Sequence, residues 1–126
     1  MPAQPFFFIR VGRKHVKLTY SEVVYIESLA NYVKIHTETS PYLTPMTMKQ
    51  LIRLLPPDMF CRVNRSIIVP INRILSFDKD GVILKGMKFA FGEGYKKELE
   101  ARIHIISQEQ NNPPPMKVCP DGLQPG

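Results

Sequence analysis

Residues 60–74, FCRVNRSIIVPINRI, join a cationic, polar half directly to an apolar half. Residues 61–66 carry two guanidinium groups, an amide and a hydroxyl, whereas residues 67–71 include β-branched side chains that are typical of a buried strand. The pattern predicts a strand anchored in the core beside a recognition segment. That segment would present Arg62 and Arg65 to a binding partner.

Length and charge narrow the class of protein. The chain has 126 residues, with 17 lysines and arginines against 11 aspartates and glutamates, which gives a formal net charge of +6. This length suits one domain with a single modest core. Residues 107–126 are rich in proline and poor in apolar side chains, so we predict a folded domain over residues 1–106 and a disordered tail after it. A basic folded surface favours a polyanionic partner such as a nucleic acid.

Short aromatic and β-branched runs, separated by turn residues, recur along the chain. They predict strands over residues 6–11, 15–19, 24–27, 32–37, 42–44, 67–71, 74–77, 82–85 and 88–91. Thr47 and Gln50 have the spacing of a capping box, which predicts a helix over residues 47–55. We therefore expect a mainly β domain of antiparallel strands, with one or two short helices and a C-terminal helix.

The two helical segments each carry an apolar stripe. In residues 47–55 the expected core face consists of Met48, Leu51, Leu54 and Leu55. In the last helix the stripe begins at Tyr95 and is expected to continue through three aliphatic residues, Leu99, Ile103 and Ile106. The intervening lysines and arginines are expected to face water.

Catalytic and metal chemistry find little support in the sequence. Cys61 and Cys119 are far apart and form no metal-binding or disulfide pattern, which favours a reducing compartment. His15, His36 and His104 are scattered, with no nucleophile and base placed together. The N-terminal apolar run is too short for a signal peptide, and no stretch is long enough to span a membrane. The sequence predicts a cytoplasmic protein that is not an enzyme, uses no cofactor and does not associate with membranes.

A nucleic-acid interface fits the cationic segment better. Arginine binds guanine edges or phosphates, asparagine binds adenine edges, and serine binds phosphates. Arg62, Asn64, Arg65 and Ser66 therefore supply both kinds of contact within five residues. RNA is the weaker alternative, because no ladder of aromatic side chains accompanies the basic residues.

The orientation of these side chains depends on whether the segment stays extended. In a regular strand Arg62 and Asn64 would point to one side and Arg65 to the other. We predict instead a bend at residues 64–66 that turns Arg65 outward. The alternative is structural: either arginine, and Arg62 in the first place, could form an ion pair with Glu27 or Asp58 at the edge of the core.

Three segments together resemble the LytTR family of bacterial DNA-binding domains. They are VVYIESLANYVKIHT at residues 23–37, MKQLIRLLPPDMFCRVNRSIIVPINRI at residues 48–74 and YKKELEARI at residues 95–103. The resemblance implies an elongated, mostly antiparallel β fold whose loops, instead of a recognition helix, enter successive major grooves of double-stranded DNA. It also implies transcriptional regulation, either as a stand-alone protein or as the output domain of a two-component response regulator. Implied partners are paired promoter repeats, a second copy in a homodimer on DNA, and a receiver domain in a sensor-kinase pathway.

Position by position, the resemblance places DNA contacts in three segments. The candidate residues are Asn31, Tyr32 and Lys34 in the first, Arg62, Asn64, Arg65 and Ser66 in the second, and Lys96 and Lys97 beside the third, the break at residues 92–94. Arg65 and Asn64 are the candidates for base edges. Arg62, Ser66, Lys34, Lys96 and Lys97 are the candidates for phosphates. For the first segment, a solvated hairpin with Tyr32 packed locally is an equally simple interpretation.

The sequence also departs from the family pattern. The family commonly has histidine at the position of Asn64, asparagine at that of Pro70, and serine followed by arginine or another polar residue at residues 92–94. Here residues 92–94 are Gly-Glu-Gly, which supply no cation. We therefore expect DNA binding that is weaker or narrower in specificity than the family norm. The alternative function is a protein-interaction module that keeps the fold and has lost DNA binding.

Overall fold

A computed structural model describes residues 4–107, so residues 108–126 of the predicted tail lie outside the described part of the chain. The strands are β1 (Phe6–Val11), β2 (Lys14–Thr19), β3 (Val23–Leu29), β4 (Tyr32–Thr37), β5 (Pro41–Thr44), β6 (Phe60–Asn64), β7 (Ile67–Pro70), β8 (Ser76–Phe77), β9 (Gly81–Leu84) and β10 (Met87–Ala90). The helices are α1 (Met48–Leu54) and α2 (Tyr95–Arg102), and short 3-10 turns occupy Tyr20–Glu22 and Ile71–Arg73.

The strands form three antiparallel sheets. The central sheet has five strands in the order β5-β4-β3-β7-β6, β1 and β2 form a separate hairpin, and β10-β9-β8 form a three-stranded sheet. The pairings within all three sheets are antiparallel. The prediction of a mainly β, antiparallel fold with two helices is confirmed.

Each face of the central sheet carries a separate apolar cluster. Side chains opposite one another on neighbouring strands share a face, and Ile26 lies opposite both Ile35 and Ile68. These residues pack with hairpin and α1 residues such as Leu18 and Leu51 in one cluster. The other cluster joins β6, β7 and β9 to α2, and its buried members are Cys61, Val63, Ile67, Val69, Val82, Leu84 and Leu99.

Helix α1 begins as the sequence predicts. The Thr47 side chain accepts a hydrogen bond of 3.1 Å from the Gln50 backbone N–H, and the Gln50 side chain accepts one of 2.9 Å from the Thr47 N–H. Met48, Leu51 and Leu55 are buried, but 71% of the Leu54 side-chain surface is exposed, so its assignment to the core face was wrong. At 3.6 residues per turn Leu54 lies about 100° from the middle of that stripe.

Helix α2 is shorter than the apolar stripe suggests. It ends at Arg102, whose guanidinium donates a hydrogen bond of 2.8 Å to the carbonyl oxygen of Phe60. Leu99 is fully buried, whereas Ile106 lies beyond the helix and is 89% exposed, so the predicted stripe was wrong at its last position. The Arg102 contact fastens α2 to the start of β6, the strand that leads into the cationic segment.

Within residues 4–107, neither helix combines the length and apolar character that crossing a membrane requires.

Candidate nucleic-acid interface

Three turns meet at one end of the central sheet. The backbone N–H of Ser28, near the end of β3, donates a hydrogen bond of 2.9 Å to the carbonyl oxygen of Ser66, between β6 and β7. The N–H of Gly92, which follows β10, donates one of 2.9 Å to the carbonyl oxygen of Val63 in β6. The fold thus brings together the three chain segments in which DNA contacts are predicted.

The β3–β4 turn contains two residues, Ala30 and Asn31, between the paired residues Leu29 and Tyr32. Ala30 has a φ of +50°, a left-handed conformation that L-amino acids other than glycine, asparagine and aspartate seldom adopt. Asn31 is exposed, and Tyr32 retains 47% of its accessible surface. A strained, tight turn therefore projects a polar and an aromatic side chain from this end of the sheet.

Lys34 of β4 is half-buried and lies opposite Glu27 of β3 and Leu43 of β5. The Glu27 carboxylate contacts the His36 Nε2 at 2.7 Å, and the His36 ring stacks on the Tyr25 ring with 4.1 Å between centroids. Burial, followed by the nearby Glu27 charge, raises the pKa of the Tyr25 hydroxyl above its usual 10.0. Glu27 is thus paired with His36, and within residues 4–107 no ion pair joins it to Arg62 or Arg65.

The β6–β7 turn is held by side chains from within it. The Asn64 carbonyl Oδ1 accepts a hydrogen bond of 2.8 Å from the Ser66 N–H, and the Asn64 Nδ2 donates one of 2.8 Å to the carbonyl oxygen of Ala90. The Arg62 guanidinium donates to the carbonyl oxygens of Asn64 at 3.2 Å and Arg65 at 2.5 Å. Arg62 and Asn64, two candidates for DNA contacts, therefore also stabilise the turn.

Strand alternation does not continue through this segment. A register shift occurs between Arg62, which lies opposite Ile68, and Asn64, which lies opposite Ile67. Arg62 borders α1 and bonds within the turn, whereas Asn64 bonds to the end of β10. The predicted bend is confirmed, because the chain turns after β6 and Arg65 is exposed.

The third segment is tightly packed at its first residue. A Cβ atom added to Gly92 would lie 2.9 Å from the Tyr95 ring and 3.4 Å from the Asn64 Cα. Gly94 has a φ of +86° and precedes α2 as its N-cap residue. Glu93 between them is exposed. The two glycines thus serve close packing and chain reversal.

The two lysines at the start of α2 differ in their surroundings. The Lys96 ammonium forms an ion pair with the Glu100 carboxylate at 2.8 Å, and both side chains are a little over one-third exposed. Lys97 is exposed and forms no ion pair with the residues at positions 4–107. Of the two predicted phosphate ligands, Lys97 therefore has the less compensated charge.

A polar groove lies between the first two turns and the start of α1. Its volume is about 440 Å³, and its lining residues are Ser28, Ala30, Thr47, Met48, Lys49, Arg62, Arg65 and Ser66. We call it the basic groove, because its three charged residues are Lys49, Arg62 and Arg65. Lys34, Lys96 and Lys97 do not line it.

Lys49 was not among the sequence-based candidates. It is exposed in the first turn of α1 and directly follows Met48, whose side chain is buried. The capping box predicts where α1 begins, but no local pattern indicates that this end of the helix borders the β6–β7 turn. The strand order β3-β7-β6 creates that neighbourhood, and it is a property of the tertiary fold.

No constellation for metal chemistry occurs in residues 4–107, where no group of three or more histidine, cysteine or acidic side chains is placed to hold an ion. Cys61 is buried as a free thiol in the second apolar cluster. This end of the sheet therefore combines cations, amides and hydroxyls with the exposed carboxylate of Glu93. The cations, amides and hydroxyls suit electrostatic and hydrogen-bonded recognition of a polyanion.

Comparisons with known proteins agree with this arrangement. The family model described as the LytTr DNA-binding domain matches residues 8–104. The CO-responsive transcriptional regulator RcoM of Rhodospirillum rubrum is 37% identical over 57 residues, which are 45% of this chain and 24% of the relative. The chain thus spans about a quarter of that relative's length.

A solved structure provides a comparison at the level of the fold. The LytTr DNA-binding domain of a Bacillus cereus protein superposes with a TM-score of 0.64 and 19% sequence identity, over 79% of this chain and 97% of that one. At this identity the likeness concerns the arrangement of the elements. It agrees with the antiparallel sheets and two helices described above.

Proposed function

This chain belongs to the LytTR family of DNA-binding domains, and we propose that it binds specific sequences of double-stranded DNA and regulates transcription. The observation that carries the proposal is the meeting of three predicted contact segments beside the basic groove. A binding surface of this kind combines cations for phosphates with polar side chains for base edges. The loops at this end of the sheet would enter the major groove.

Arg65 is the first candidate for a base contact. It is exposed at the tip of a turn whose backbone is fixed by Arg62 and Asn64. Because the backbone of the turn is already fixed, only the Arg65 side chain has to be ordered on binding, and its guanidinium can form a bidentate contact with guanine. Asn64 is the second candidate, because its amide group keeps hydrogen-bonding capacity beyond the two bonds that it makes in the turn.

Phosphate contacts are proposed for cations and hydroxyls that surround this turn. Lys49 and Ser66 line the basic groove, whereas Lys34 and Lys97 lie outside its lining. Arg62 already donates two hydrogen bonds to the turn, so its main contribution would be to position Arg65. Asn31 and Tyr32 would supply polar and apolar contacts from the β3–β4 turn, and Lys96 a weaker contact because of Glu100.

The larger assembly is also part of the proposal. We propose that the domain acts in the cytoplasm, as a stand-alone regulator or as the output part of a response regulator that a sensor kinase controls through a receiver domain. On DNA it would occupy paired promoter repeats as a homodimer. A two-fold assembly would place equivalent basic grooves on successive repeats.

The test is selection of bound sequences from a random pool of double-stranded DNA, followed by titration of the best sequence at several salt concentrations. Enrichment of a motif, and an affinity that falls linearly on a double-logarithmic salt plot, are expected. Two related half-sites in the motif would support paired binding. No enrichment together with no salt-dependent binding would refute the proposal.

One observation favours a second function. Glu93 is exposed beside the β6–β7 turn, and residues 92–94 supply no cation. A surface with a carboxylate at this position suits a protein partner better than a phosphate backbone. In that case a protein complex would form with a gentler salt dependence, and the random DNA pool would yield no motif.

A further inference from the structure

A second concave surface lies on the other side of α1, between that helix and the β1–β2 hairpin. It has a volume of about 480 Å³, and we call it the hairpin cleft. Its lining residues are Phe7, Phe8, Ile9, Arg10, His15, Tyr20, Thr44, Pro45, Met46, Leu51, Leu54 and Leu55. None of the candidate DNA-binding residues is among them.

The cleft is mainly apolar and reaches the core. Ile9, Leu51 and Leu55 are buried members of the first apolar cluster, whereas 57% of Phe8 and 71% of Leu54 remain exposed at the surface. Leu54, which is exposed instead of packed in the core, is thus one of the residues that line this cleft. A cavity of several hundred Å³ with an apolar lining is of the size that holds a small organic molecule.

The polar groups of the cleft indicate the charge of such a molecule. Arg10 and His15 lie directly opposite each other in the β1–β2 register, so their side chains emerge on the same, exposed face of the hairpin as Phe8. Within residues 4–107 neither side chain forms a hydrogen bond or an ion pair. Among the described residues, none that lines the cleft is acidic. A cationic end beside an apolar cavity complements an amphipathic anion.

We propose that the hairpin cleft binds a small amphipathic carboxylate, whose aromatic or branched aliphatic body occupies the apolar cavity and whose carboxylate contacts Arg10. His15 adds a hydrogen-bond donor. The proposal does not depend on DNA binding, because it rests on residues outside the basic groove. Helix α1 nevertheless borders both surfaces, with Lys49 in the basic groove and Leu51, Leu54 and Leu55 in the cleft.

The test uses the full 126-residue chain and two probes that share one body, 2-naphthoate and the neutral 2-naphthylmethanol. Amide chemical shifts are followed by nuclear magnetic resonance during each titration. We expect saturable shifts confined to the residues of the hairpin cleft, with a dissociation constant for naphthoate of about 0.1 to 1 mM, as its size permits. Naphthylmethanol should bind more weakly, by up to about fivefold.

Matched variants test the role of the charge. Arg10→Glu should lower the affinity for naphthoate to that for the alcohol or below it, and leave the affinity for the alcohol unchanged. Arg13→Glu makes the same change of net charge at an exposed residue that does not line the cleft, and should have little effect. Thermal unfolding of both variants verifies that the hairpin is intact.

Four results would overturn the proposal. The first is equal affinity for the acid and the alcohol, and the second is an equal loss of affinity in the two glutamate variants. The third is a set of naphthoate shifts centred on Arg62 and Arg65. Shifts of cleft residues that depend on protein concentration without any probe would identify a second copy of the chain as the occupant, and would also contradict the proposal.

Discussion

The Asn64 side chain donates a hydrogen bond of 2.8 Å to the carbonyl oxygen of Ala90, 26 residues further along the chain. This bond joins the turn between β6 and β7 to the end of β10. The same amide group accepts from the Ser66 N–H, so that one side chain fixes both the shape of the turn and its position against the neighbouring sheet.

Replacing Asn64 by alanine should therefore affect stability as well as DNA binding. Two hydrogen bonds are lost at a half-buried position, which should lower the free energy of unfolding by about 1 to 2 kcal/mol. Asn64→Asp keeps the acceptor for Ser66 but places a carboxylate oxygen against the carbonyl oxygen of Ala90, so it should cost at least as much. Urea unfolding measures both effects. A stability equal to that of wild type in both variants would contradict the bracing role.

Arg65→Ala should weaken DNA binding without weakening the fold. Arg65 is exposed, and its side chain makes no hydrogen bond with residues 4–107, so the free energy of unfolding should change by less than about 0.5 kcal/mol. On the selected DNA sequence the binding free energy should fall by about 1 to 3 kcal/mol, with relaxed preference at one base pair. Arg62→Ala is the comparison: it should reduce both stability and affinity, because it removes the hydrogen bonds that hold the turn.

If Arg65→Ala bound the selected sequence as tightly as wild type, Arg65 would not contact the DNA. If Arg62→Ala lost affinity while its unfolding curve stayed unchanged, Arg62 would be a direct DNA ligand instead of a positioning residue.

Lys49→Ala should reduce the salt dependence of DNA binding. A lysine that neutralises one phosphate contributes about 0.9 to the slope of log K against log salt concentration, and the slope should become less steep by that amount. Arg53→Ala is the matched control on the same helix, since Arg53 is exposed and does not line the basic groove. Equal slopes for wild type and Lys49→Ala would exclude a phosphate contact at this position.

The two lysines of α2 should differ in the same measurement. Lys97→Ala should flatten the salt dependence by about 0.9, because its charge is not compensated by an ion pair. Lys96→Ala should change the slope less, because the Glu100 carboxylate at 2.8 Å already attracts the Lys96 ammonium. The double variant Lys96→Ala, Glu100→Ala then separates the lysine from its partner. A larger effect of Lys96→Ala than of Lys97→Ala would contradict the assignment.

The buried thiol of Cys61 should make stability depend on pH in the alkaline range. Burial raises its pKa above the usual 9.0, Arg102 lowers it and Glu98 raises it again. As pH rises past 9.0 the unfolded chain loses the thiol proton before the folded chain does, so the free energy of unfolding should fall. Below that pH both states are protonated, and this thiol has no effect.

Unfolding in urea at about pH 8 and about pH 9.5 measures this dependence before tyrosine titration dominates. Cys61→Ala, compared in a background in which Cys119 is serine, should remove the part of the slope that belongs to the buried thiol. An unchanged slope would show that another group is responsible.

Most of the fold could be predicted from local patterns. Strand β4 was predicted at its observed bounds, and the Thr47 and Gln50 capping box located the start of α1. The two residues that were wrongly assigned to the core, Leu54 and Ile106, lie outside the packed clusters. Leu54 borders the hairpin cleft, and Ile106 follows the end of α2.

The composition of the candidate site was harder to predict than its location. Three distant segments resembled contact regions of a known family, and the fold places them at one end of the sheet. The places of single residues could not be predicted from the sequence, because they depend on neighbours that only the tertiary fold supplies. Lys49 borders the basic groove because the strand order places the β6–β7 turn beside the start of α1. The register shift after Arg62 changes the neighbours of Asn64.

The close packing at Gly92 restricts how this protein can change over evolutionary time. The resemblance to the family leads one to expect a polar side chain in this segment, but a Cβ atom at residue 92 would meet the Tyr95 ring at 2.9 Å. A serine could be accommodated only after the ring moved or Tyr95 was replaced. Tyr95 in turn supports the Arg62 guanidinium, which lies 6.0 Å from its ring centre. A serine at residue 92 would therefore require a second, compensating substitution. The single substitution would disrupt the packing of Tyr95 against the β6–β7 turn.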